Sequence, residues 1–216
     1  AEQQAVQKKL EPRLQEILEA KGVHLVAWGT GGWVELFSKQ PIRTLAELKD
    51  EGLVRHIGVS NFDVEELRQI QQIAPVETLQ PPYSLIARDV EDEILPFAEH
   101  EGIGVIVYSP MGSGMLTGAM TRERLANLPD DDWRKRDPRF REPRLSKNLA
   151  LVDRLETVAD RHGTSIGSVA VAWTLTNPAV EGAIVGFRRP DQVDPIIGAA
   201  NLVLADEDLA TIEVGG

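Results

Sequence analysis

The stretch HIGVSNFDVEEL, residues 56–67, contains a strand-like run, a small polar pair and the start of a helix. The run ends at Ser60-Asn61, and Asp63 with Glu66 three residues later has the pattern of a capping box, which begins helices. This order of elements predicts a βα unit. The polar pair is placed either to contact a ligand or only to precede the helix N-cap, and the stretch alone leaves both open.

Further strand-like runs follow along the chain. They alternate with helix-like segments every 20–30 residues or so, roughly the spacing of βα units on a parallel sheet. The run IGVIVYSP is almost entirely apolar, which predicts a strand buried on both faces. The predicted fold class is α/β, as an open doubly wound sheet or as part of a (βα)8 barrel. The four predicted strands are residues 53–60, 76–80, 103–110 and 181–187.

Several predicted helices have recognisable ends. The helix that begins at Asp89 contains Pro96, which we expect to bend it. Thr164 or Ser165 is the candidate N-cap of a later helix, and a last helix is expected from about Pro190. The other helical patterns cover residues 44–52, 64–73 and 149–163.

Residues 1–43 have a different pattern. A polar-faced helix ending at Gly22 is followed by the strand-like VHLVAWG (23–29), the turn GTGG and the strand-like WVELFS (33–38). A helix, a strand, a turn and a strand do not match the βα pattern that follows. We therefore predict two domains, 1–43 and 44–216.

Composition narrows the function classes. The chain has 216 residues, with 34 acidic and 23 basic side chains and a net charge of −11, which argues against nucleic-acid binding. It has no cysteine, so thiolate metal sites and disulfides are excluded. No apolar run reaches the ~18–20 residues of a membrane span, and no signal peptide is visible, so we expect a cytoplasmic protein without a membrane partner. The first residue is alanine, as in a processed, engineered or fragmentary chain.

Five motifs in a fixed order point to one family. They are LAELKDEGLVRHIGVSNF, LQPPYSLIAR, GVIVYSPMGSGMLTG, GTSIGSVAVAWTLTNPAV and IVGFRRPDQVDPIIGA. From about residue 44 to the C-terminus the chain resembles the C-terminal half of the aldo-keto reductases. The resemblance implies half of a (βα)8 TIM barrel, the cofactor NADP(H), and hydride transfer to a small-molecule carbonyl substrate.

The resemblance also implies cofactor-binding residues. Ser60, Asn61 and Gln80 would hold the nicotinamide carboxamide, and Tyr108 would stack on the nicotinamide ring. The pyrophosphate would follow the turn after Tyr108, and the adenosine 2′-phosphate would lie near the segment after the last strand. The residues implied for these two places are Ser109, Pro110, Met111 and Ser113, and then Gly186, Arg188 and Gln192.

The residue chemistry is compatible with these roles. An amide offers a donor and an acceptor that match a carboxamide, and a phenol ring offers a flat face for a planar ring. Gly112 and Gly114 allow the backbone to approach a phosphate closely. Arg188 and Arg189 would open the last helix and add charge to its N-terminal dipole, although such a pair is more often a solvated surface feature.

Two departures leave the choice between NADP and NAD open. Gly186 and Phe187 align where family members often carry Lys and Ser. Pro195-Ile196 aligns where an Asn is common. A branch of the family with a GxR pattern after the last strand does without that Lys.

The family's catalytic Asp, Tyr, Lys and His come from the first half of the barrel, and no matching set is found in this chain. Tyr83 and Tyr108 are the two tyrosines, and both align with other roles. Residues 15–49, QEILEAKGVHLVAWGTGGWVELFSKQPIRTLAELK, instead resemble a segment of TRAP-transporter periplasmic solute-binding proteins. The stretch TLAELK, residues 44–49, suits both patterns, which predicts a chimera or fusion at that point.

Three functions stay open on this reading. The chain is an enzyme whose missing half is supplied elsewhere, a cofactor-binding module without turnover, or a recombined scaffold with a structural role only. Four strands cannot close an eight-stranded barrel, and their open edges favour pairing with a second copy as a homodimer.

Overall fold

The computed structural model describes residues 24–28, 35–38, 45–50, 52 and 54–214. These residues fall into two compact units, one that ends at Ile57 and one that begins at Gly58. Within the described residues, no helix has both the length and the apolar character needed to cross a membrane.

The first unit contains a two-stranded sheet and a short helix. Strand β1 (His24–Trp28) pairs antiparallel with β2 (Glu35–Ser38), as the strand–turn–strand pattern predicts, and α1 spans Leu45–Asp50. The predicted helix ending at Gly22 and the predicted GTGG turn lie outside the described residues.

The second unit is built on a four-stranded parallel sheet. All neighbouring strands pair in parallel, in the spatial order β3-β4-β5-β6, so the predicted α/β fold with four successive parallel strands is confirmed. The strands are β3 (Gly58–Ser60), β4 (Thr78–Gln80), β5 (Gly104–Tyr108) and β6 (Val180–Ile184).

The first strand of this sheet is shorter than its sequence pattern predicts. It begins only at Gly58, whereas the pattern extends back to residue 53. A Cβ at Gly58 would lie 2.0 Å from the side-chain oxygen of Thr78, so glycine lets the two strands approach closely without a shift of Thr78.

Seven α-helices of the described chain belong to this unit, and three of them begin at a side-chain N-cap. At α2, the Asp63 carboxylate accepts from the Glu66 N–H at 2.8 Å and the Glu66 carboxylate accepts from the Asp63 N–H at 2.9 Å, which confirms the predicted capping box. Ser165, and not Thr164, caps α6. The helices are α2 (Val64–Gln71), α3 (Ile94–Glu101), α4 (Arg122–Ala126), α5 (Arg144–His162), α6 (Ile166–Thr174), α7 (Asp194–Ile197) and α8 (Asp206–Glu213).

Pro96 acts differently from the prediction. The segment from Asp89 does not form one bent helix, because a 3-10 turn at Asp89–Glu91 is followed by a separate α3. Pro96 then lies in the first turn of α3, where its missing N–H leaves no hydrogen bond unmade. The proline thus determines where the helix begins.

The sheet has one buried face. Val105 and Val107 of β5 are fully buried in a core that contains Leu155 of α5 and Val169 of α6. Ile106, between the two valines, is 40% exposed. The prediction that β5 is buried on both faces is therefore wrong, because alternate side chains of a strand point to opposite faces and the core of this unit covers only one of them.

The last helix, α8, is held to α5 by charged groups. The carboxylate of Asp208, which is 3% exposed, lies 2.7 Å from Nη1 of Arg161 and 2.8 Å from Nε2 of His162. It also accepts from the Ala205 N–H at 3.0 Å, which caps α8. These bonds, the one from His162 first, hold the pKa of Asp208 below its usual range.

Replacing Asp208 with Asn tests this anchor. A carboxyl whose pKa is lowered by folding contributes stability that is complete above its unfolded pKa of about 3.9 and is lost as the pH falls through the folded pKa. Asp208→Asn should therefore lower the thermal unfolding midpoint at pH 7 and reduce the further loss of stability below about pH 4. Asp160→Asn, an exposed position on α5, is the matched control, and an equal acid response of both variants would contradict the prediction.

Candidate cofactor site

A cavity of about 740 Å³ lies where β5 and β6 end. Tyr108 and Ile184, the last residues of these two strands, both line it. Eight of the eleven residues predicted to bind cofactor line this one cavity. They are Tyr108, Ser109, Pro110, Met111, Ser113, Gly186, Arg188 and Gln192.

The other three predicted residues do not line the cavity but connect to it through Tyr108. The Tyr108 hydroxyl donates to Oδ1 of Asn61 at 3.0 Å. The Gln80 carbonyl accepts from the Asn61 N–H at 3.2 Å and from the Ser60 hydroxyl at 2.8 Å. The Ser60 hydroxyl therefore donates its hydrogen bond between β3 and β4. Nδ2 of Asn61 has no partner among the described residues.

Left-handed backbone is concentrated at this edge of the sheet. Asn61, Ser109 and Ser113 have φ values of 61°, 58° and 58°, and they are the non-glycine residues of the described chain with positive φ. Residues in this region are strained, and such strain is common at ligand sites. All three are residues predicted to bind cofactor.

The backbone of Tyr108 is fixed by the segment that follows β4. Its N–H donates to the Pro81 carbonyl at 3.0 Å, and its carbonyl accepts from the Tyr83 N–H at 3.2 Å. The end of β5 is thereby held on both sides of the Tyr108 side chain. The ring is half-buried and its position follows from this backbone and from the bond to Asn61.

The two arginines after β6 differ in their pairing. Arg189 donates from Nε to Asp191 at 3.0 Å, which neutralises its charge. Arg188 lines the cavity, and its guanidinium has no ion pair among the described residues. Arg188 is thus the better placed of the two to attract a phosphate.

The prediction that Arg188 and Arg189 open a helix, with its dipole adding to their charge, is wrong. Pro190–Gln192 forms a 3-10 turn, and α7 starts only at Asp194 and spans four residues. The side chain of Gln192 accepts from the N–H groups of Arg188 and Arg189, at 2.8 and 3.1 Å, so those donors point at protein. The proline and the Gln192 contact prevent a regular helix from beginning at Arg188.

The long loop after Ser113 contributes cavity residues that sequence reasoning missed. Trp133 and Arg134 line the cavity. Arg134 is buried and forms a forked pair with Asp132, at 2.9 and 2.6 Å, which lowers the pKa of Asp132 to about 2 with a smaller contribution from Arg188. The repeated D-x-R spacing at 132–134 and 137–139 is the sequence signal that could have indicated these pairs.

The acidic run Asp130–Asp132 is used for pairing within the loop. Asp130 pairs with Lys135 at 2.9 Å, and Asp132 pairs with Arg134. Across the described part of the chain, no group of three or more His, Cys, Asp or Glu is arranged to hold a metal ion.

Comparison with known proteins decides the family. The family model described as "Aldo/keto reductase family" matches residues 33–214. The chain belongs to the aldo/keto reductase family. Its curated relatives include aldo-keto reductase YhdN of Bacillus subtilis, which is 36% identical over 79% of this chain, and an NADH-specific methylglyoxal reductase of Escherichia coli, which is 31% identical over 78%.

A solved structure shares the fold and much of the sequence. The glycerol dehydrogenase of Gluconobacter oxydans is 37% identical, covers 78% of this chain and superposes with a TM-score of 0.73. A thermostable aldo-keto reductase at 24% identity and a TM-score of 0.57 supports the fold alone. This chain spans about half the length of these relatives, 51% of each of the two curated proteins and of the dehydrogenase.

Substitution of Asn61 tests the strained turn at this edge. Asn61→Gly keeps the left-handed backbone and should stay within about 1 kcal/mol of the parent protein in the free energy of unfolding. Asn61→Val forces a β-branched residue into the same conformation and should lose a further ~1–3 kcal/mol. Urea unfolding followed by circular dichroism measures both, and equal stability of the two variants would mean that Asn61 does not adopt positive φ.

Proposed function

We propose that this chain binds NADP(H) in the cavity at the ends of β5 and β6 and that by itself it does not reduce carbonyl compounds. The observation that carries the proposal is the convergence of eight predicted cofactor residues on that one cavity, with Tyr108 and Arg188 both in its wall. The volume of about 740 Å³ lies within the roughly 300–1,000 Å³ of ligand pockets.

The groups that would hold the cofactor fit its chemistry. The free Nδ2 of Asn61 and the amide of Gln80 suit a carboxamide, and the Tyr108 ring suits the nicotinamide plane. Ser109 and Ser113 offer hydroxyls to a pyrophosphate, and Gly114 with φ of 93° lets the backbone approach it. When bound, the reduced nicotinamide supplies the hydride that a carbonyl substrate accepts.

The phosphate preference rests on Arg188. Because this guanidinium lines the cavity without an ion pair among the described residues, it favours a 2′-phosphate and therefore NADP(H). The Escherichia coli relative is described as NADH-specific, so NADH is the comparison that matters. The substrate class is a small carbonyl compound once the remaining catalytic groups are present.

Neither tyrosine of this chain is suited to donate a proton. The Tyr83 hydroxyl donates to Glu91 at 2.6 Å, and burial, followed by the nearby Glu91 carboxylate, raises its pKa above the usual range. The Tyr108 hydroxyl is engaged with Asn61. Proton donation by tyrosine needs a lowered pKa, so we propose that reduction requires groups that this chain lacks.

Titration with reduced cofactors tests the binding proposal. NADPH fluorescence should change saturably on addition of the full chain, and Arg188→Ala should weaken NADPH binding about tenfold, with little effect on NADH, because only NADPH carries the 2′-phosphate. Arg189→Ala, which removes a guanidinium already paired with Asp191, is the matched control. Tyr108→Ala should weaken both cofactors.

Two results would contradict the proposal. If NADPH fluorescence shows no saturable change up to millimolar cofactor, the chain does not bind the cofactor and its motifs have a structural role only. Oxidation of NADPH by a simple aromatic aldehyde above the rate without protein would mean that a proton donor is present after all.

We also propose that the four strands are the second half of an eight-stranded barrel. The strand order supports this proposal. So does the apolar surface of the sheet, where Ile106 and Ile184 are 40% and 44% exposed and could be buried by further strands of a barrel. Strands β3 and β6 are the edges of this sheet, and unpaired edges favour association with a second copy.

Light scattering coupled to size exclusion tests this association. We expect a dimer of twice the 23.8 kDa chain mass. Lysine placed at Ile184, on the edge strand, should shift the protein toward the monomer, because a charge on an edge strand opposes pairing. A monomer at all concentrations would contradict a barrel completed by a second copy.

The N-terminal segment is proposed to have a separate origin. The TRAP-like pattern and the reductase pattern share residues 44–49, and this shared stretch is where a fusion would leave both patterns intact. The reductase family match begins at residue 33, eleven residues before the predicted boundary at residue 44, so residues 33–43 carry both resemblances.

A further inference from the structure

A second, smaller cavity of about 230 Å³ adjoins the same turn after β5. It shares Tyr108, Ser109 and Ser113 with the larger cavity and adds walls from the segment Pro82–Ala87 and from Arg139. Its volume is below the ~300–1,000 Å³ of pockets for drug-sized ligands. It is therefore suited to a small ion or to one end group of a molecule, and not to a nucleotide.

Ser84 is a buried residue in the wall of this cavity, and its hydroxyl has no partner among the described residues. Ser84 is 1% exposed, and its backbone N–H and carbonyl are both bonded to Ala87, at 3.1 and 2.9 Å. Its Oγ makes no hydrogen bond with any described residue. Buried polar groups are almost always hydrogen-bonded, so this hydroxyl is a donor available to a ligand in the cavity.

Arg139 supplies a guanidinium donor held in place, with its charge balanced by Asp137. Its Nε and Nη2 donate to Asp137 at 3.0 and 2.6 Å, and its carbonyl accepts from Nδ2 of Asn148 at 2.8 Å. The next residue, Phe140, is 1% exposed and anchors the chain in the core. The third guanidinium nitrogen, Nη1, has no partner among the described residues and remains a donor.

Two further hydroxyls offer hydrogen-bond donors to an anion. The side chains of Ser109 and Ser113 make no hydrogen bond within the described part of the chain, and both residues have φ of 58°. The chain as a whole has a net charge of −11, so an anion here has to be bound by such local donors.

We propose that this cavity binds a small oxyanion, a phosphate or carboxylate group, between the Ser84 hydroxyl and the Arg139 guanidinium. Both ligand groups offer acceptors only, which matches hydroxyl and guanidinium donors. Since Tyr108 forms part of the wall, the anion would lie beside the proposed nicotinamide platform. The site does not require nucleotide binding, so it stands or fails separately from the proposed cofactor function.

Calorimetric titration of the full chain with sodium phosphate, at constant ionic strength set with sodium chloride, tests the site. We expect saturable binding that Ser84→Ala and Arg139→Gln each weaken about ten- to hundredfold, the loss typical of one hydrogen bond to a charged group. Arg141→Gln, an exposed arginine of the same segment, is the matched control and should leave the affinity unchanged. Ser84→Ala removes a single oxygen, so it tests the site even where Arg139→Gln disturbs the loop.

Two further titrations identify the source of the anion. Acetate that binds with the same dependence on Ser84 and Arg139 indicates a carboxylate-bearing small molecule. Phosphate binding that persists in saturating NADPH indicates a free ion or a substrate group and supports a separate site. Displacement by NADPH would overturn the proposal, because Ser109 and Ser113 would then be holding the pyrophosphate of the cofactor. Absence of binding by either anion, or binding lost in Arg188→Ala but kept in both cavity variants, would overturn the proposal.

Discussion

The carbonyl oxygen of Gln80 is the acceptor on which the geometry of the site depends. It accepts from the Ser60 hydroxyl at 2.8 Å and from the Asn61 N–H at 3.2 Å, so the ends of β3 and β4 are joined at one atom. The second of these bonds accompanies the left-handed conformation of Asn61, with φ of 61°. The side-chain oxygen of Asn61 in turn accepts a hydrogen bond from the hydroxyl of Tyr108, at the end of β5. The polar groups of three neighbouring strands are thus positioned by hydrogen bonds to one another.

Charge pairing in the loop after β5 determines which cations stay available. Arg134, Lys135 and Arg139 each have an aspartate two or five residues earlier as partner. Short-range forks of this kind leave little net field for a ligand, because each charge is neutralised nearby. Arg188 has no such partner in the described chain, and Arg139 keeps one nitrogen unused. In a protein with a net charge of −11, anion binding has to rest on local donors of this kind.

The apolar run of β5 predicts burial on both faces of the sheet, but the structure buries only one. Continuous apolar sequence indicates burial on both faces only when both faces are covered, and here the core of the unit lies on the side of Val105 and Val107. The opposite side carries Ile106, which is 40% exposed. A run of this composition is compatible with a barrel strand, whose second face is covered when the barrel is closed.

The sequence by itself determined the features that depend on neighbouring residues. The capping box at Asp63 and Glu66, the start of α6 at a serine or threonine, and the alternation of strands and helices are local patterns, and the structure confirms each of them. The motifs also named residues that line one cavity. Only the tertiary structure decided which of two adjacent arginines is neutralised, where β3 begins, and that Ser84 faces the same small cavity as Arg139. These facts depend on distances between atoms brought together by packing, which no local pattern of residue types specifies.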